Sequence, residues 1–208
     1  MALRIPPGRA GRIWLVGRLE IARRGAELLD RKRQALLRER RRVRGEAEAA
    51  QEAWQQAAAV AATWSSRAAI LDGAARLELL ARHARTPASL QLSWRNLMGA
   101  RLPTIESLAA PDPPSLSAFG GSSAAVLAGH ACADAAVAAA RYAVARRAEL
   151  ELSVELQRAS RRLRALQERW IPQHEAALAQ LDLVLDESQR EQAARARWAT
   201  RRPQPGGG

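Results

Sequence analysis

One cysteine, Cys132, stands in a chain of 208 residues, which excludes a disulfide framework and any zinc site built on thiolates. The three histidines, His83, His130 and His174, are widely spaced and suggest neither a metal cluster nor a proton relay. Phenylalanine and tyrosine occur once each and aromatics are 4% of the chain, so a thick globular core cannot be assembled. Lysine also occurs once, at Lys32, outside any Gly-x-x-x-x-Gly-Lys-Ser/Thr, and a P-loop is excluded. Gly-x-Ser-x-Gly and His-Glu-x-x-His are absent too. The longest stretch free of charged side chains, 113–133, is interrupted by Pro113, Pro114, Gly120 and Gly121. A membrane-spanning helix needs about 20 predominantly apolar residues, and this stretch is too polar and broken. The N-terminal Arg4, Pro6, Pro7, Gly8 and Arg9 lack the apolar centre of a signal peptide. The expectation is a cytoplasmic chain without direct membrane insertion, non-catalytic by itself, holding no cofactor and no metal.

Alanine, leucine, arginine and glutamate dominate what remains, a mixture suited to long helices. No proline occurs over 10–85, and a seven-residue register fits that whole span. One seam position takes Leu15, Ala22, Leu29, Leu36, Val43, Ala50, Ala57, Trp64, Leu71 and Glu78. Its companion takes Leu19, Ala26, Arg33, Arg40, Ala47, Trp54, Ala61, Ala68, Ala75 and Arg82. Ordinary globular helices average about 11–12 residues, so the spacing predicts an exceptional helix over 10–85. Thr86-Pro87 ends it, because the residue before proline is pushed out of helical geometry. Within 86–122, Gln91-Leu92-Ser93-Trp94 alternates, 96–99 is turn-like and Arg101-Leu102-Pro103-Thr104-Ile105 follows, which predicts a short β-hairpin and then a loop.

A second long helix is predicted over 123–200. Its stripe is Ala138, Tyr142, Ala145, Glu149, Leu152, Leu156, Ala159, Leu163, Leu166, Trp170, His174, Leu178, Leu181 and Leu185. The steps alternate three and four up to Leu166 and are then four in succession, a stutter that locally unwinds a supercoil. Pro172 falls inside the stutter and predicts a bend. Residues 201–208 read as a disordered tail. Two matched helices joined by a short insert predict a mainly α fold, an antiparallel coiled coil with a hairpin between its arms.

The chain carries 33 basic against 21 acidic residues, a net charge of +12. More than half of that excess lies within 31–44, where Arg31, Lys32, Arg33, Arg38, Arg40, Arg41, Arg42 and Arg44 stand against the single acid Glu39. These eight are the candidate contacts with an acidic partner; a solvated helix face is the plain alternative. Arg33 and Arg40 occupy the seam register, where they weaken helix pairing, and like charges one turn apart cost a few tenths of a kcal/mol. Asp186, Glu187 and Glu191 read as a solvated helix end, His174 as a seam histidine, and Cys132 as a small apolar residue.

Three ordered motifs carry a resemblance. The first helix has Leu19-x-x-Ala22-x-x-Gly25-x-x-Leu28-Leu29-x-x-Lys32-Arg33-x-x-Leu36, and the insert has Met98-Gly99-Ala100-Arg101-Leu102-Pro103. The second helix has Ser160-Arg161-Arg162-Leu163-Arg164-Ala165-Leu166-Gln167-Glu168-x-x-Ile171-Pro172, then Leu185-Asp186-Glu187-Ser188-Gln189-Arg190-Glu191. Together they resemble the D subunits of the V-type (A-type) ATP synthases and ATPases over most of the chain. Departures from that family's usual residues fall at Gly8, Asp30, Gln34, Arg164 and Gln167. The resemblance implies a central-stalk rotor whose paired helices enter the hexamer of A and B subunits. Its other end and insert would meet the F subunit and the socket subunit above the membrane ring, and rotation would couple ATP chemistry to proton or sodium flow. The competing readings are an arginine-rich nucleic-acid binder and a coiled-coil adaptor. Against the former, the basic block lies inside the heptad register, not ahead of it.

Overall fold

The computed structural model describes residues 5–82, 87–112 and 121–201, with side chains up to Ala199. Helix α1 spans Gly8–Asp72 and α2 spans Ala74–Arg82; strands β1, Ser89–Leu97, and β2, Ala100–Ala109, follow. Helix α3 spans Ser123–Arg164, a π-helical segment spans Ala165–Trp170, and α4 spans Ile171–Arg201. The expected architecture is present: long helices on either side of one antiparallel hairpin. The tail beyond Arg201, the stretch 113–120 and the residues around Thr86 lie outside the described residues.

The chain forms two compact units, one of Met1–Arg33 with Arg158–Gly208 and the other of Gln34–Gln157. In the first unit, Leu15, Leu19, Ala22 and Ala26 of α1 are buried, as are Ala159, Leu163 and His174 on the returning side. Arg12 Nε donates to Asp182 Oδ1 at 2.8 Å, and Arg23 Nη2 donates to Glu175 Oε1 at 2.7 Å. Partner numbers fall as those of α1 rise, so the helices run antiparallel.

In the second unit, Leu36, Val43, Ala47, Ala61 and Ala68 are buried along α1, and Ala148, Leu152 and Leu156 along α3. The Trp54 ring stacks on Tyr142 with centroids 5.6 Å apart. Asp72 accepts from the Ser122 backbone N–H at 3.0 Å and from its hydroxyl at 2.5 Å, tying the end of α1 to the start of α3. These pairs are antiparallel as well. Alanines and leucines make a thin seam, consistent with a chain poor in aromatics.

Two departures from the simple register have local causes. Gly73 adopts φ +80°, a left-handed conformation that ends α1 at Asp72 and starts α2 in a new direction. The seam register therefore fails around it. Leu71, Ala75, Glu78 and Arg82 are exposed, whereas Leu80 is buried with Ala68, Ala124, Ala125 and Ala128. The C-terminal stripe, by contrast, holds at every named position from Ala138 to Leu185, none of which is exposed. The stutter coincides with the π segment, where Ile171 N–H donates to Leu166 C=O. A π turn advances more residues per revolution than an α turn, so consecutive four-residue steps stay on one face.

The hairpin turns on Met98 and Gly99, both with positive φ (50° and 89°), the signature of a two-residue type I′ turn. Asn96 Oδ1 accepts from the Gly99 N–H at 3.3 Å. Pairing passes from Gln91↔Ser107 to Leu92↔Ile105, leaving Glu106 as a bulge. Ala100 and Leu102 of β2 are buried, whereas every residue of β1 except Leu97 is exposed. Cys132 is exposed too, with its Sγ 3.7 Å from Ser65 Oγ. The helical stretch Ser123–Ala199 contains an 18-residue window of mean hydropathy 1.4, long and apolar enough by composition to cross a membrane, as core helices of water-soluble proteins also are.

Candidate functional site

The basic block occupies successive turns of α1, and the structure divides it by what each cation touches. In the first unit, Arg31 is exposed and makes no ion pair among the described residues, and Lys32 is half-buried. Arg33 donates Nε and Nη2 to Asp30 Oδ1 at 3.0 and 2.8 Å, one turn back. A seam arginine thus has its countercharge on its own helix.

In the second unit, Glu39 is the organising carboxylate. It accepts two bonds from Arg42, 3.1 Å from Nε and 2.7 Å from Nη2, and a third from Arg95 Nη2 of β1 at 3.1 Å. Arg42 also contacts Glu46. The Arg42 hydrogen bonds hold the Glu39 carboxyl below its ordinary range against the opposing effect of burial, with Arg95 adding to the depression. The same pairing holds the Arg42 guanidinium above its usual value, and the Glu48 carboxylate does likewise for Arg44 at 2.8 Å.

Arg40 enters the helix seam, as its register position predicts. Its Nε lies 4.0 Å from Glu149 Oε1 on α3 and is buried without a hydrogen-bond partner. Glu149 is itself only 7% exposed and accepts from Arg146 on its own helix. A polar pocket of about 390 Å³ opens beside this group, lined by Arg44, Glu48, Gln51, Tyr142, Arg146 and Glu149. Arg38 and Arg41 are exposed and make no ion pair among the described residues.

Most of the block is therefore neutralised by carboxylates of this chain. Arg31 in one unit, and Arg38 and Arg41 in the other, are its exposed cations that make no ion pair among the described residues. The sequence places Glu39 only as an interruption in a basic run; its tie to Arg95, 56 positions away, depends on the hairpin reaching back to α1. Glu149 was visible as an acid on an apolar stripe, the signal that a seam cation faces it.

The other candidates are also located. Pro172 is the second residue of α4, directly after the π segment, and is exposed. His174 is buried, stacks on Trp170 with centroids 3.5 Å apart, and donates Nδ1–H to the Trp170 carbonyl at 2.8 Å. Glu187 and Glu191 pair with Arg190 and Arg195 on an exposed helix end. Among the described residues no group of three or more His, Cys, Asp or Glu could hold a metal ion.

Among the described residues the arrangement places cations along α1 and apolar seams between the helices. A family model described as the ATP synthase D subunit matches residues 13–201. No curated protein matches the chain.

Proposed function

This chain belongs to the ATP synthase D-subunit family, a family of rotary ATPase stalk subunits, and from that premise we propose that it is the central-stalk rotor shaft of a V-type or A-type enzyme. In this reading it is non-catalytic and couples ATP synthesis or hydrolysis in a hexamer of A and B subunits to proton or sodium translocation. Its further partners are the F subunit and the socket subunit above the membrane rotor ring, and it sits on the cytoplasmic side, peripheral to the membrane. The single observation that carries the reading is the family match, which covers both long helices and the hairpin.

The physical chemistry of the chain supports a torque-bearing role. Each elementary charge crossing the membrane delivers about 2.3 kcal/mol per 100 mV, and several must be held as twist before one ATP forms. An exposed ion pair contributes only about 0–1 kcal/mol, so isolated grips slip. Continuous helices locked along a seam of small residues leave few joints to yield. We assign the torque contacts to the basic block, with Arg31, Arg38 and Arg41 gripping acidic partner loops. Arg33, Arg42 and Arg44 pair with acids of their own helix, Arg40 faces Glu149 across the seam, Lys32 completes the block, and Pro172 sets a local bend.

The test is reconstitution of the complex in sealed vesicles with Arg38→Glu and Arg41→Glu combined. These substitutions break no ion pair within the described residues. ATP hydrolysis that continues with reduced ion pumping supports the grip; pumping coupled as in the unsubstituted complex removes that role from both arginines.

A further inference from the structure

The hairpin has one closed edge and one open edge. A two-residue turn makes Leu97 and Ala100 a hydrogen-bonded pair, and pairs alternate from there. Arg95↔Leu102 and Ser93↔Thr104 are then bonded, whereas Asn96↔Arg101, Trp94↔Pro103 and Leu92↔Ile105 direct their N–H and C=O groups outward. Pro103 falls at an outward position of β2, where its missing N–H costs the ladder nothing and blocks addition of a further strand. It is also buried. Strand β1 has no proline, and no described backbone group bonds to its outer edge.

The outward groups of β1 belong to residues of one face. Leu90, Leu92 and Trp94 alternate along it and are 42%, 38% and 51% exposed. Opposite them lie Leu108, Ile105 and Pro103. Arg101 extends across this face with its guanidinium carbon 5.5 Å from the Trp94 ring centroid, and has no carboxylate partner among the described residues. Open strand edges bearing large apolar residues are aggregation-prone unless covered.

We propose that the outer edge of β1 receives an extended strand from another subunit of the same rotary assembly, apolar at alternate positions and carrying a carboxylate that meets Arg101. Main-chain bonds to Leu92, Trp94 and Asn96 supply affinity, while Trp94 and Arg101 select the sequence. The proposal rests on the stalk reading, since the occupant is a subunit of that complex.

Amide hydrogen exchange at single-residue resolution tests it, on the free chain and on the complex recovered with it. The amides of Ser93 and Arg95, bonded within the hairpin, are protected in both states and report that the hairpin is folded. Those of Leu92, Trp94 and Asn96 exchange freely in the free chain and slow by roughly a hundredfold in the complex. Leu92→Pro, which imitates Pro103 on the other strand, abolishes that protection at Trp94 and Asn96 with Ser93 unchanged; Leu92→Ala retains it. A complex that forms with Leu92, Trp94 and Asn96 still exchanging freely overturns the edge contact and leaves the stalk reading standing. Failure to recover any ATPase subunit overturns both. Protection in a free, self-associated chain assigns the edge to a second copy and overturns the proposal.

Discussion

Glu39 connects two segments of the sequence through charge: the basic turns of α1, in which it sits, and Arg95 of the hairpin. Its folded-state carboxyl lies below the ordinary value of 4.5. The stabilisation it contributes is therefore complete above about pH 4.5 and is lost as pH falls through the lower folded value. Glu39→Gln is expected to cost about 1 kcal/mol near neutral pH, and to flatten the acid limb of the stability profile, in thermal melts from pH 7 to 3. Arg40 makes the opposite case. Its buried Nε has no hydrogen-bond partner and its countercharge stands 4.0 Å away. Replacing a poorly satisfied seam pair by apolar residues is commonly neutral or stabilising. Arg40→Leu with Glu149→Leu should accordingly match the parent or exceed it by about 1 kcal/mol in denaturant melts. Glu149→Leu alone leaves the seam guanidinium without its acid and should be the less stable variant.

At the scale of elements, helix pairing was legible because an alanine and leucine stripe repeats at helical spacing; the buried Leu15, Leu36, Leu152 and Leu163 all stand on it. The hairpin was legible from the alternation around Trp94 and from Asn96 to Gly99. The break at Gly73 was not. Glycines at 17, 25 and 45 stand within α1 without interrupting it, and only the tertiary setting distinguishes Gly73 from them. Nor did periodicity show that Asp72 would bind Ser122 across the loop. Gly73→Ala should cost about 1 kcal/mol, because a Cβ there meets no atom within 4 Å and its penalty comes from the left-handed backbone alone. Asp72→Ala removes the tie to Ser122 and should cost about 1–2 kcal/mol. Amide exchange should show α2 and the first turn of α3 opening together in both variants. The basic block was legible as a cluster but not as a partitioned one, since Arg95 and Glu149 reach it only through folding.

At the scale of the whole molecule, the proposed role is the transmission of rotation. Family membership across residues 13–201 and a chain made chiefly of long helices point to a stalk subunit. Among the described residues the basic block is largely neutralised by acids of this chain, which leaves Arg31, Arg38 and Arg41 as the cations assigned to the proposed grip. The most direct measurement is recovery of the tagged, full-length chain from its native cells in mild detergent, with the bound proteins identified and counted. A central-stalk subunit comes away with A and B subunits in the proportion of one chain to one hexamer. A chain that elutes alone, or with nucleic acid and no ATPase subunit, contradicts the claim.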